Sequence, residues 1–288
     1  MKDNLSIRHK GVTLVLSVEP IEKVLPHEEV LADVLSSIVG SLRRTGAQLD
    51  PVIMDRATGV ALDGMHRVEA LRSMGADKIL ACGVDYGSES IRLGRWLRAY
   101  AGRSNPLLED LKVRLNLTRV SRAEALSEVE GHRTPVALFA GGASFKSLLP
   151  LASVRESIEL VRVFDETAAR SGIHPRIVSE SEAMKLIDTG AIVFVPPSPS
   201  KEDVVRSGLS RQLFPPKSTR HMIPARPVGV SYPLKWLVDP RVTVAEANRR
   251  LSSLLQEGGM DSLPAGSEYM GRVYEEPLYR FHRGAKGS

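Results

Sequence analysis

An α+β fold is predicted for this chain. In its first third, segments read in the order strand, helix, hairpin, helix, strand, and a second mixed set of helices and strands follows after residue 106. The composition, 42% hydrophobic and 25% charged over 288 residues, is that of a globular protein with room for a well-buried core.

Residues 12–18 are rich in β-branched and apolar side chains and predict a strand that runs into turn-prone Glu19-Pro20. From 29 to 45, Val30, Leu31, Val34, Leu35, Ile38 and Leu42 recur at helical spacing, and Gly46 supplies a stop. The runs 51–54 and 60–62 flank a loop containing Gly59, which predicts a β-hairpin. A short helix is expected from His66 to Gly75, then a buried strand over 78–86. Residues 91–100, which include Trp96, are expected to form a helix with the indole in the core.

The polar stretch 101–106 separates this half from the next. Ser121 with Glu124, and Thr243 with Glu246, have the form of capping boxes and predict helices to about 130 and 256. Between them come strands at 135–140, 176–178 and 191–195, helices at 154–163 and 182–188, and a helix capped by Ser200. A Pro-rich segment spans 214–233. The expected domains are therefore 1–105, 106–238 and a helical extension over 239–288.

The formal net charge is +5, yet Lys and Arg never run to five in a row, so no basic arm for a DNA backbone is visible. Cys82 is the single cysteine, which excludes an internal disulfide and predicts a buried, inert thiol. No stretch of about 18 apolar residues occurs, so neither a membrane span nor a signal peptide is expected, and the compartment expected is the cytoplasm. His9, His132, His174 and His282 have no partner at ligand spacing, and a structural metal site is not expected.

Three segments are candidates to carry chemistry. Asp63-Gly64-Met65-His66-Arg67 lies where a strand meets a helix. Free amides and the helix dipole favour an anion there, Gly64 permits close approach, and Arg67 suits bidentate phosphate contact. An Asp at the strand end can hold Mg²⁺ or orient a ligand; the same residues also make an ordinary turn with Asp63 as N-cap. Pro26-His27-Glu28-Glu29 places carboxylates before a long helix, either as favourable charge at its positive end or as a base for an attacking hydroxyl. Lys217-Ser218-Thr219-Arg220-His221 is a Pro-bounded loop of cations and hydroxyls, suited to a small anionic group or simply to solvent. Ser41, opposite Leu42 on its helix, reads by itself as a surface hydroxyl.

Taken together, Pro26-His27-Glu28, Asp63-Gly64-x-His66-Arg67, Trp96 and Lys217-x-Thr219-Arg220-His221 resemble the free serine kinases of archaea, of the ParB/sulfiredoxin-like superfamily. The resemblance runs over roughly residues 12–224. It implies a ParB/sulfiredoxin-like nucleotide-binding domain, a second α+β lobe for the substrate, and transfer of phosphate from ATP or ADP to the hydroxyl of free L-serine. By that analogy Glu28 is the general base and Asp63 a second catalytic carboxylate and possible Mg²⁺ contact. Gly64, Met65, His66 and Arg67, helped by Ser41, hold the nucleotide; Trp96, Lys217, Thr219, Arg220 and His221 frame the amino acid. One departure stands out: Met65 replaces the histidine common in the family's phosphate loop, which leaves the choice of nucleotide open.

Three other readings compete. L-Threonine or another hydroxy amino acid differs from serine by as little as a methyl group. A partitioning-type nucleotide- or DNA-binding protein calls for a helix-turn-helix after the first lobe, where mixed strands and helices are expected instead. A sulfiredoxin-type reductase needs a cysteine in the phosphate loop, and Cys82 lies elsewhere. The expected partners are the nucleotide and the amino acid, without nucleic acid or membrane, and the expected assembly is a monomer or small homo-oligomer.

Overall fold

The computed structural model describes residues 5–100 and 105–283, so 101–104 of the expected boundary stretch lie outside the described residues. It confirms the mixed α+β class. The chain groups into two compact units, one within Met1–Arg92, Val205–Leu213 and His221–Ser288, the other within Leu93–Val204 and Phe214–Arg220. The first unit is assembled from three separate stretches of chain and the second from two.

The first unit is built on a five-stranded sheet. Strands β1 (Ser6–His9) and β2 (Val12–Pro20) pair antiparallel, followed by α1 (Ala32–Thr45), β3 (Ala47–Gln48), β4 (Val52–Asp55), β5 (Ala61–Asp63), α2 (Met65–Ser73) and β6 (Lys78–Val84). The sheet order is β1-β2-β6-β4-β5, with β4 parallel to β6 and the other pairs antiparallel. Every residue of β6 is buried, which is why its sequence lacks alternation. The helix expected from 29 starts at Ala32 instead: Leu31 is an extended N-cap, and its N–H is taken by His66. Gly46 ends α1 in the left-handed conformation, φ 61°, as its position predicts.

The second unit carries a larger sheet with helices on both faces. It contains β7 (Arg92–Tyr100), α3 (Asn105–Arg114), β8 (Leu117–Val120), α4 (Arg122–Glu130), β9 (Ala137–Ala140), β10 (Ala143–Ser147), α5 (Val154–Arg170), β11 (Arg176–Ser179), α6 (Glu180–Asp188) and β12 (Ile192–Val195). Strand order is β11-β7-β12-β9-β10-β8, and β13 (Thr219–Met222) also pairs with β7. Side chains alternate across the sheet. Leu138, Ile192 and Phe194 join Leu107, Leu111 and Phe164 of α3 and α5 in one core, while Phe139, Val193 and Val195 join Ala125, Val129 and Ala183 of α4 and α6 in the other. Ser121, Ser153 and Ser179 each cap a helix by accepting from a Glu amide three residues on.

The helix expected over 91–100 is a strand. Antiparallel pairing with β11 and β12 decides this, because a short apolar run reads equally as helix or strand and only distant partners choose. Trp96 is consequently half-buried on β7 and not deep in the core.

Helix α7 (Lys201–Ser210) is followed by β13, β14 (Arg226–Val228), β15 (Tyr232–Pro233), α8 (Leu234–Val238), α9 (Val244–Glu257), β16 (Gly259–Leu263), β17 (Glu268–Tyr269), β18 (Arg272–Val273) and β19 (Leu278–His282). The tail expected to be helical therefore contains α9 and four strands; β19 lies between β14 and β16, pairing that no local pattern in the tail announces. Asn248 of α9 bonds both N–H and C=O of Val18 at 2.8 Å, tying the tail to β2. Among the described residues no helix is long and apolar enough to cross a membrane.

Candidate functional site

In the first unit, β5 delivers Asp63 to the start of α2 through Gly64. Gly64 adopts φ 97°, and an added Cβ would meet Val52 Cγ2 and Arg67 Nη2 at 3.1 Å, so conformation and space both require glycine. Gly64, and not Asp63, is the N-cap of α2; no side chain caps this end and no acid lies in the first turn. The first turn of α2 thus holds no acidic side chain, and the nearest carboxylate at its positive end is that of Asp63.

Asp63 is held by guanidinium groups. Arg226 Nη1 lies 2.5 Å from its Oδ2 and Arg67 Nη2 lies 3.6 Å away. Burial would raise the Asp63 pKa, but Arg226, Arg67 and Arg272 outweigh it and hold the carboxyl well below the usual range. Arg226 also bonds the Glu276 carboxylate through Nε. Arg67 Nη1 donates to the carbonyls of Asp50 and Pro51, both at 2.8 Å, which fixes its side chain across the turn. Met65 is half-buried beside these residues in the first turn of α2, and Ser41 is half-buried on α1.

Glu28 is buried, 3% exposed. Its neighbour His27 donates from Nδ1 to the Ala61 carbonyl at 2.6 Å, and His27 Nε2 faces Glu28 Oε1 at 3.8 Å. Burial lowers the His27 pKa against the pull of Glu28 and Asp63, so the imidazole is the neutral partner of that carboxylate. On the other side of Glu28, the Leu31 N–H donates to His66 Nε2 at 3.0 Å. Two hydrogen bonds, one to the residue two before Asp63 and one to the residue two after Gly64, thus lay the Glu28 segment alongside the glycine turn. His66, expected to help hold the nucleotide, presents Nε2 here as an acceptor.

His221 belongs to this unit as well. Its ring meets His27 edge-on at a centroid separation of 5.3 Å, and its Nε2 shares a 2.8 Å hydrogen bond with Tyr86 Oη. A cavity of about 350 Å³, lined among others by Leu25, Pro26, Glu69, Arg72, Gly208 and Leu213, opens elsewhere along α2. That size suits a small molecule.

Lys217, Thr219, Arg220 and Trp96 belong to the second unit. Arg220 stacks over the Trp96 ring at 5.0 Å, and the Trp96 backbone N–H donates to Ser218 O at 3.3 Å. Lys217 sits at φ 58°, a left-handed conformation uncommon for a residue with a side chain.

Known proteins match this chain over most of its length. An ATP-dependent L-serine kinase of Staphylothermus marinus is 26% identical over 246 residues, which is 79% of this chain and 95% of that protein. An ADP-dependent L-serine kinase of Thermococcus kodakarensis is 26% identical over 224 residues, 75% of this chain and 90% of that protein. The chain is similar to archaeal L-serine kinases. A solved free serine kinase mutant in complex with ADP superposes with a TM-score of 0.66 at 24% identity, covering 77% of this chain and 93% of its own, so the two share a fold. No protein-family model matches the chain.

Within the first unit, two hydrogen bonds lay the His27–Leu31 segment alongside the Asp63–Arg67 turn, and the His27 ring meets His221. Sequence reasoning missed Arg226, Glu276 and Tyr86. Arg226 and Tyr86 stand alone in unremarkable runs, and only pairing far along the chain discloses them. For His27 the available signal was an imidazole immediately before the candidate base. Among the described residues no group of three or more His, Cys, Asp or Glu side chains forms a protein-built metal cage.

Proposed function

We propose that this protein transfers a phosphoryl group from ATP or ADP to the hydroxyl of free L-serine, giving O-phospho-L-serine, on a ParB/sulfiredoxin-like first unit. The observation that carries the reading is the pair of hydrogen bonds, His27 to Ala61 and Leu31 to His66, that bracket Glu28 against the glycine turn. A hydroxyl acceptor needs a carboxylate base within reach of a site that already holds phosphate, and little else in covalent help.

In this reading the α2 amides that follow Gly64, with His66, Arg67 and Met65, receive the phosphates, and Ser41 assists. Glu28 takes the proton of the serine hydroxyl. Its burial beside a neutral His27 keeps water away from that transfer. Mg²⁺ fits as a companion of the nucleotide rather than as a resident ion, since it is commonly held by one or two carboxylates plus substrate phosphates; it would neutralise charge on the phosphates, with Asp63 as the protein ligand. Arg226 and Arg67 keep Asp63 ionised for that task. Trp96, Lys217, Thr219, Arg220 and His221 are assigned to the amino acid, whose carboxylate calls for a cation such as Lys217. Free nucleotide and free amino acid place the reaction in the cytoplasm.

The test is incubation of the purified protein with Mg²⁺, ATP or ADP, and free L-serine, L-threonine and other hydroxy amino acids, with the phosphorylated product read by mass spectrometry. O-Phosphoserine from serine supports the reading. Phosphothreonine as the main product moves the substrate to threonine, and no product with any pair sinks the kinase assignment.

A further inference from the structure

The loop that carries Lys217 is anchored by four consecutive carbonyls. Ser218 Oγ donates to Pro215 O at 2.7 Å, Arg98 Nη2 to Pro216 O at 2.7 Å, Arg98 Nη1 to Lys217 O at 2.6 Å, and the Trp96 backbone N–H to Ser218 O at 3.3 Å. The two central bonds come from one side chain. Arg98 lies two residues after Trp96 on β7, so both side chains project from the same face of the strand.

Arg98 is 4% exposed, and Asp165 on α5 faces its Nε and Nη2 at 3.4 Å. Burying a cation is costly unless it is paired and hydrogen-bonded. A position that only filled the core would be served better by an apolar residue. What the guanidinium adds is a planar fork whose two ends reach two successive carbonyls, which a single ammonium cannot span in the same way. The residue whose carbonyl it grips, Lys217, is also the one held at φ 58°, a conformation that persists where its surroundings over-determine it.

We propose that Arg98 is a positioning residue for amino-acid recognition: by clamping the carbonyls of Pro216 and Lys217 it fixes the backbone from which the Lys217 side chain projects toward the substrate carboxylate. The inference rests on the reading that Lys217 binds the amino acid. Arg98 itself does not touch the substrate. Its loss loosens Lys217 and weakens serine binding, while the nucleotide site is untouched.

Arg98→Lys, Asp165→Asn and Lys217→Met are compared with wild type by steady-state kinetics, with thermal melting as a check on folding. Arg98→Lys is expected to raise KM for serine about tenfold, with KM for the nucleotide within about twofold of wild type. Asp165→Asn, at a position 44% exposed, is expected to raise serine KM about threefold with folding intact. A folded Arg98→Lys with wild-type serine KM overturns the proposal while Lys217→Met retains its defect. Equal rises in both KM values also overturn it, because a merely structural residue acts in that way. Should Arg98→Lys fail to fold, Asp165→Asn decides, and an unchanged serine KM there overturns it. If Lys217→Met too leaves serine KM unchanged, the assignment of Lys217 falls and this inference falls with it.

Discussion

Arg226 Nη1 lies 2.5 Å from Asp63 Oδ2, across 163 residues of sequence. The contact joins the last residue of β5 to the first residue of β14, and Glu276 takes the other side of the same guanidinium. The carboxylate at the glycine turn is therefore set by residues from the far end of the chain.

Arg226→Met tests that dependence. Asp63 has a pKa below its ordinary 3.8 in the folded protein, so in acid the unfolded chain binds more protons at this site. The stability contributed by its ionisation is complete above the unfolded value and is lost as pH falls toward the folded one. Losing Arg226 is expected to cost about 1 to 3 kcal/mol at neutral pH, between the worth of an exposed pair and that of a buried one. Melting temperatures measured from pH 7 downward should show the gap between wild type and variant narrowing below about pH 4. A gap that stays constant contradicts the role given to this pair.

Glu28→Gln preserves shape and removes the carboxylate proposed as the base. The expected loss in kcat is about 10² to 10⁴, with KM for serine and for nucleotide little changed. Turnover near wild type means that another group accepts the proton.

Gly64→Ala places a methyl against Val52 and Arg67 at φ 97°. The strain is about 1 to 2 kcal/mol for a non-glycine residue in this region, and nucleotide affinity is expected to fall with it. Calorimetric titration of ADP into both proteins checks this, and equal affinities would falsify the close approach assigned to the turn.

Cys82 lies on β6 with no exposed surface, and burial pushes its thiol up to about 12. The native protein should resist an aromatic disulfide reagent at pH 8 and take up one equivalent once denatured. Rapid labelling in the native state would show that β6 opens.

Much of the local structure was legible because local chemistry writes it. Ser121 and Thr243 cap the helices that follow them, Gly46 ends α1, and β4 and β5 form the hairpin around Gly59. The glycine turn was legible for the same reason, since a strand, Asp-Gly and a helix are contiguous. Where the reading departed from the structure, the deciding partner was remote. Residues 91–100 became a strand because β11 and β12 pair with them, and the tail gained strands because β19 fits between β14 and β16.

The sequence by itself determined the mixed α+β class, the caps and turns, and the motifs around Glu28, Gly64 and Lys217, all of which depend on residues within a few positions of one another. Only the tertiary structure decided that His27 and Leu31 fasten the Glu28 segment beside the glycine turn, that Arg226 pairs with both Asp63 and Glu276, and that Arg98 grips the carbonyl of Lys217. The reason is physical. A cap or a turn is satisfied by its own neighbours, whereas a buried charge must find its partner wherever folding brings one, and that partner's position along the chain leaves no local mark.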